Sequence, residues 1–186
     1  VLAPISEDTK YPNYKKNKQY TSSSKQDLPF EVSCVDGYAM CFNLKRINQH
    51  QGFENCNFFD ENIFMYLEND DFCKRLIDKK EKIFVIPTSK VKHLGGRAVN
   101  EKYNHEIELS RNWHWIWSKF YFQRKHSNYF IALIDSFPTF FSAILKYIFY
   151  LIIFNSKERD IYLHRALGYL NAALGKKSFL RPNIKD

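Results

Sequence analysis

The sequence has no Cys-x-x-Cys pair, no dense run of lysine and arginine, and no internal repeat. Its four cysteines, Cys34, Cys41, Cys56 and Cys73, lack the spacing of a zinc site. No leader peptide is expected at its start, so the cysteines read as free thiols of a reducing compartment rather than as two disulfides. A chain that opens on Val1 instead of Met is expected to be cut from something longer. Basic residues are spread out, with small clusters at Lys15-Lys16 and Lys79-Lys80. The formal charge of +8 and isoelectric point near 9.2 therefore point to an acidic partner such as a nucleotide diphosphate, an anionic lipid or a nucleic acid. Nucleic acid is the poorest fit, because the aromatics sit in apolar helices and do not interleave with a basic sheet face. A hydrophobic content of 45%, with 17% aromatic residues, excludes a disordered chain. At 186 residues the chain is long enough for one sizeable core.

Val1 to Ile5 reads as a short buried strand. Ser6 to Gln26 is polar and reads as a long surface loop or a linker. Phe30 to Leu44 reads as strand, turn, strand, with Asp36-Gly37 at the turn. A short helix follows over Lys45 to His50. Lys82 to Pro87 is β-branched and aromatic, a strand that proline should stop. Arg97 to His105 reads as a polar loop, and Glu106 to Phe122 as the clearest helix. Trp113 and Trp117 lie one turn apart in it, so Trp115 must face elsewhere.

Asn128 to Phe154 is very apolar, and Pro138 should break it or begin a second helix. Pro138 to Phe154 falls short of the roughly 20 apolar residues of a comfortable span, and Lys146 puts a charge in its middle. An interfacial helix or hairpin in a membrane surface is expected, with a spanning helix and a buried oligomer-packing helix as alternatives. Asn155 to Asp160 reads as a charged turn. Ile161 to Leu174 reads as an amphipathic helix stopped by Gly175, with a basic tail after it.

The most informative stretch is Phe58 to Arg75. Asp60, Glu61, Glu68, Asp70 and Asp71 are set there among Phe64, Met65, Tyr66, Leu67 and Phe72. A carboxylate held partly out of water binds a proton more tightly, which suits a general base. The same acids also suit the start of a helix, where they complement its positive end. Phe-Asp-Glu, an aromatic run, then Tyr-Leu-Glu-Asn-Asp-Asp-Phe-Cys-Lys-Arg resembles the acidic motif of family 2 glycosyltransferases, closest to the rhamnosyltransferase-like branch of surface polysaccharide synthesis. The tail from Arg165 to Pro182 is similar to the tails of these enzymes.

The resemblance implies an α/β fold: the C-terminal part of a nucleotide-diphospho-sugar transferase (GT-A type) domain, followed by apolar and amphipathic helices. The expected division is residues 1–125, the back half of the catalytic domain, and 126–186, a helical membrane-associating segment. It implies Glu68 as the catalytic base, with Asn69 where many relatives carry a second acid. Asp71 belongs to the same catalytic motif and either orients Arg75 or the motif itself, or only pairs with Arg75. Gly37 would let the backbone approach the donor sugar, and Gly95 and Gly96 the diphosphate. Arg111 would bind phosphate or hold the acidic motif. Asn112, His114 and Trp115 would line the acceptor side, although core packing also suits tryptophan. His93 reads either as a structural residue or as a ligand to a divalent ion, Mg or Mn.

The family's nucleotide-binding front half, with its Asp-x-Asp motif, has no counterpart in this sequence. A missing N-terminal half or a partner subunit is therefore expected to supply it. The activity implied is inverting transfer of a sugar from a nucleotide-diphosphate donor to a glycan or polyprenyl-linked acceptor, at the cytoplasmic face of the membrane, by a peripheral or monotopic protein. The rival is a non-catalytic, membrane-associated interaction module built on the same fold.

Overall fold

A computed structural model describes residues 1–6, 28–53, 57–92 and 101–182. The chain forms two compact units. One comprises Val1–Asp60 and Glu68–Arg97, the other Glu61–Leu67 and Ala98–Asp186. The division thus falls near residue 97, not 125, and a seven-residue piece of the acidic stretch belongs to the second unit. The reason is that the helix expected to close the first domain buries its apolar stripe among the helices that follow it.

The first unit holds a three-stranded sheet ordered β1-β3-β2, with β1 (Leu2–Ser6), β2 (Phe30–Val32) and β3 (Ile83–Val91). β1 runs parallel to β3 and β2 antiparallel to it. β3 does not stop at Pro87. The register with β1 jumps from Pro4↔Ile86 to Ile5↔Lys90, so the proline sits in the irregularity, where a residue without an N–H interrupts a ladder least. Tyr38–Phe42 forms no second strand beyond a single bridge at Cys41, because β2 alone pairs with Ile83–Val85 on that side of β3.

Two short helices complete the unit: α1 (Leu44–Ile47), capped by the Asn43 side chain, and α2 (Glu68–Asp78). Phe72 of α2 is fully buried, and the rings of Phe42, Phe53, Phe58 and Phe59 lie 5.4–6.2 Å from its own, spacings at which edge-on aromatic pairs attract. α2 ends on Lys80, which takes a left-handed φ of 62°. Its N–H reaches the Ile77 carbonyl and the Glu81 N–H reaches that of Leu76, a Schellman stop made without glycine.

The second unit is three long helices: α3 (Asn104–His126), α4 (Tyr129–Ile152) and α5 (Ser156–Ala173). On α3, Trp113, Ile116, Trp117 and Phe120 repeat at helical spacing and form a core with Ala132, Tyr169 and Ala172. Each large apolar side chain so buried contributes roughly 1.5–3 kcal/mol. α4 runs unbroken through Pro138. The ring lies on the exposed side of the helix, and the carbonyl it leaves without a donor is that of the exposed Ile134. The expected charged turn at 155–160 is instead the first turn of α5, capped by Asn155 onto the Glu158 N–H. α5 stops at Gly175, at φ +70°, with its own pair of Schellman bonds. The tail then returns along α3: Lys176 O accepts from Trp117 Nε1 at 3.0 Å, and the Phe179 ring meets Trp113.

α3 and α5 touch at Gly168. A Cβ there would lie 2.4 Å from the Trp113 carbonyl oxygen and 3.2 Å from its carbon. Backbone, not a flexible side chain, is the obstacle. Gly168→Ala is therefore expected to lower the thermal midpoint of the helical unit by an overpacking cost of about 1–3 kcal/mol. Far-UV circular dichroism melts read this directly, and an unchanged midpoint would refute the close approach.

Candidate functional site

Glu68 is the first residue of α2. Its Oε2 is shut off from solvent and has no hydrogen-bond partner among the described residues. A buried carboxylate oxygen without a donor is costly, so a chain that keeps one there has another use for it. The two residues before it, Tyr66 and Leu67, both take left-handed φ values, 67° and 66°. Neither is glycine, and two consecutive side chains in that region store strain of order 1–3 kcal/mol each. An acid at a helix start needs neither feature. Glu68, Asp70 and Asp71 do occupy the first turn of α2, so the ordinary charge–dipole attraction is present as well.

Asp71 is fully buried and accepts from Arg75 Nε at 2.8 Å, one turn on. Arg75 also donates to the Phe58 carbonyl, and its guanidinium lies 4.6 Å from the Phe53 ring centre. The pair thus ties α2 to the start of the acidic stretch. Asn69 stands where the resemblance places a second acid, and its Nδ2 donates to the Val35 carbonyl at 2.9 Å. A carboxylate cannot donate, so the amide serves a bond that the acid could not make. Gly37 lies in the adjoining turn with its Cβ position 3.5 Å from that of Asn69, an ordinary contact. Cys34, Cys41 and Cys73 are free thiols. The Cys34 thiol, 3.7 Å from Asp70 Oδ1, is pushed up by its hydrogen bond with Cys73 and by burial.

The second unit carries an open hollow of about 700 Å³ walled by Tyr66, Asn104, Glu108, Arg111, Asn112, Trp115, Lys157 and Arg165. Trp115 is 43% exposed there and meets the edge of the Tyr66 ring at 5.5 Å. Asn112 is pinned on both sides: its Nδ2 donates to the Glu108 carbonyl, and its Oδ1 accepts from Arg165 Nε at 2.7 Å. Lys157 pairs with Glu108 at 3.5 Å. Arg111 is exposed on the same wall. Three cations and one acid around a wall with an exposed indole suit an anionic ligand with a flat or ring-shaped part.

His114, expected on the acceptor side, is fully buried and lines no part of this hollow. The odd placement follows from helical phase: Trp113, His114 and Trp117 share the inner face and Trp115 the outer one. A carbonyl only accepts, so Nε2 donates to Leu180 O at 2.7 Å, and Nδ1 accepts from the Ser178 hydroxyl at 3.0 Å. The Phe64 ring packs on it at 4.9 Å, and Ser118 donates to the Met65 carbonyl. These contacts hold the Glu61–Leu67 segment within the helical unit. Burial, aided by Arg181 and partly offset by the Leu180 carbonyl, holds the imidazole below its ordinary value.

His93, Gly95 and Gly96 lie outside the described residues. Among the described residues no three histidine, cysteine, aspartate or glutamate side chains gather as a metal site, and Asp71 is committed to Arg75. Lys157 and Arg165 were not signalled by the sequence. They stand 46 and 54 residues after Arg111 in ordinary helical surroundings, and only the packing of α5 on α3 brings them to it. Comparison of the chain with protein-family models, curated proteins and solved structures found no match.

Two measurements follow. Glu68→Gln keeps the side-chain shape and removes the charge from a side chain whose buried Oε2 has no hydrogen-bond partner among the described residues. We expect it to raise the urea midpoint of the sheet-containing unit. A fall of about 0.3–1 kcal/mol would instead show Glu68 acting only as a helix-start charge. For His114, the folded pKa lies below the unfolded value of 6.5. The unfolded state then binds the extra proton, so stability is full above about pH 6.5 and is lost as pH falls below it. The urea midpoint of the helical unit should drop between pH 7.5 and 5.5, and His114→Gln should flatten that slope.

Proposed function

We propose that this chain supplies the catalytic base of an inverting glycosyltransferase that uses a nucleotide-diphosphate sugar. One observation carries the reading: the buried Oε2 of Glu68, with no hydrogen-bond partner among the described residues and placed directly after the strained Tyr66-Leu67 pair, in the stretch that resembles the acidic motif of family 2. Glu68 takes the proton from an acceptor hydroxyl as that oxygen attacks the anomeric carbon. The bond from that carbon to the diphosphate breaks, its electron pair leaves with the nucleoside diphosphate, and attack from the opposite face inverts the configuration.

Asp71 and Arg75 act as positioning residues that hold α2 and hence the base. Within the second unit, the hollow walled by Arg111, Lys157, Arg165 and Trp115 suits a phosphorylated ligand with a ring-shaped part. The remainder of a nucleotide-binding site, including any Mg or Mn that it holds, is assigned to a front half or partner bearing Asp-x-Asp. The acceptor class is a glycan or polyprenyl-linked glycan at the cytoplasmic membrane face.

The test is nucleoside diphosphate release from a panel of nucleotide-sugar donors, in the natural polypeptide with native membranes. Glu68→Gln should reduce release by about 10²–10⁴-fold, and Asp71→Asn should reduce it together with the folding midpoint. If Glu68→Gln turns over like the wild type, the base assignment fails. The non-catalytic interaction module then becomes the better reading.

A further inference from the structure

α4 presents a face that the other described residues of the helical unit do not cover. Every third or fourth residue from Phe130 to Ile152, through Ile134, Phe137, Phe141, Leu145 and Ile148, is large, apolar and 45–73% exposed. The opposite face carries Ala132, Ser136 and Ala143, small residues that bring α4 close to its neighbours. α4 is long and apolar enough to cross a bilayer by length and composition, but its partners argue against crossing. α4 and α5 form an antiparallel hairpin: Tyr150 stacks on Tyr162, Phe140 stacks on Tyr169, and Tyr129 donates to the Ala173 carbonyl. A spanning α4 would draw Arg159, Asp160 and Arg165 of α5 into hydrocarbon. Lys146 lies on the α5 side, its Nζ 5.0 Å from the Tyr162 ring centre, so it does not interrupt the outward stripe.

The width of the apolar face distinguishes a lipid surface from a second copy. A coiled-coil seam is narrow and bordered by charged positions. Here Ile131, Phe149 and Leu151 beside the stripe are also exposed and apolar, and the hairpin tip ends on Phe154, 94% exposed. The charge is complementary to an anionic surface. Where α3 ends and the tail begins, Arg124, Lys176 and Lys177 line one hollow, at the same end as the start of α4.

We propose that α4 lies flat in the interface of an anionic bilayer, its stripe roughly 5–10 Å into the headgroup–acyl boundary, with Arg124, Lys176 and Lys177 on headgroup phosphates. The inference is independent of the transfer chemistry. The full chain is sedimented with vesicles of 3:1 phosphatidylcholine and phosphatidylglycerol, and with phosphatidylcholine alone. Binding should favour the anionic vesicles at least tenfold and weaken with salt. F137E/L145E, at exposed positions, should reduce it at least tenfold. K176E/K177E, away from the stripe, should remove most of the preference for anionic lipid. In the vesicle-bound protein, a membrane-impermeant amine reagent should modify both Lys125 and Lys157, which flank α4.

Absence of binding, or F137E/L145E binding like the wild type, overturns the proposal. So does protection of one of the two lysines, which would show a span. A lipid-free dimer that F137E/L145E dissociates would make a second copy the occupant and overturn it too.

Discussion

The helical unit depends on the approach of α5 to α3 at Gly168. Backbone meets the Trp113 carbonyl there, close enough that the two helices share the Trp113, Trp117, Phe120 and Tyr169 core. That approach sets Arg165 against Asn112 and Lys157 against Glu108, and so determines that the exposed wall of α3 carries three cations. The tail returns along α3, and Ser178 and Leu180 end on the buried His114. α4 then closes the remaining inner side with small residues and turns its bulky ones outward. One short helix–helix distance thus sets the hollow.

In the sheet-containing unit the comparable constraint is how α2 is held. Phe72 and Leu76 anchor it in the aromatic core, and the Asp71–Arg75 pair ties it to Phe58. Asn69 ties it to Val35. With three neighbouring side chains committed, the first residue of α2 has little freedom of its own, and the chain reaches it through two left-handed residues. The acidic stretch therefore divides by chemistry. Asp71 is buried and paired, Asn69 donates, and Glu68 keeps a buried oxygen with no hydrogen-bond partner among the described residues. Such a division is what a site needs if one carboxylate is to react while its neighbours hold it still.

The two tryptophan environments illustrate how much of this was legible beforehand. That Trp113 and Trp117 share a face, and Trp115 does not, follows from helical phase alone, and the structure buries the first two and exposes the third. Gly175 as a helix stop was equally legible, because a left-handed cap is a local demand. The two prolines were misleading for one reason. A proline removes one donor, and whether that ends an element depends on what surrounds the lost bond: a ladder irregularity at Pro87, an exposed helix face at Pro138. His114 was misplaced because sequence shows a titratable ring near a motif but not the Leu180 carbonyl returning 66 residues later.

The sequence by itself settled matters of short range: that α3 and α5 are helices, which face of α3 is apolar, and that a cluster of acids opens α2. These follow from hydrogen bonds four residues apart and a period of 3.6. The tertiary structure decided which acid stays unpartnered, which cations converge beside Arg111, and on which side of α4 Lys146 falls. Each of those is set by residues distant along the chain meeting across a packed core. Packing of that kind depends on volume and close approach, quantities that no local pattern encodes.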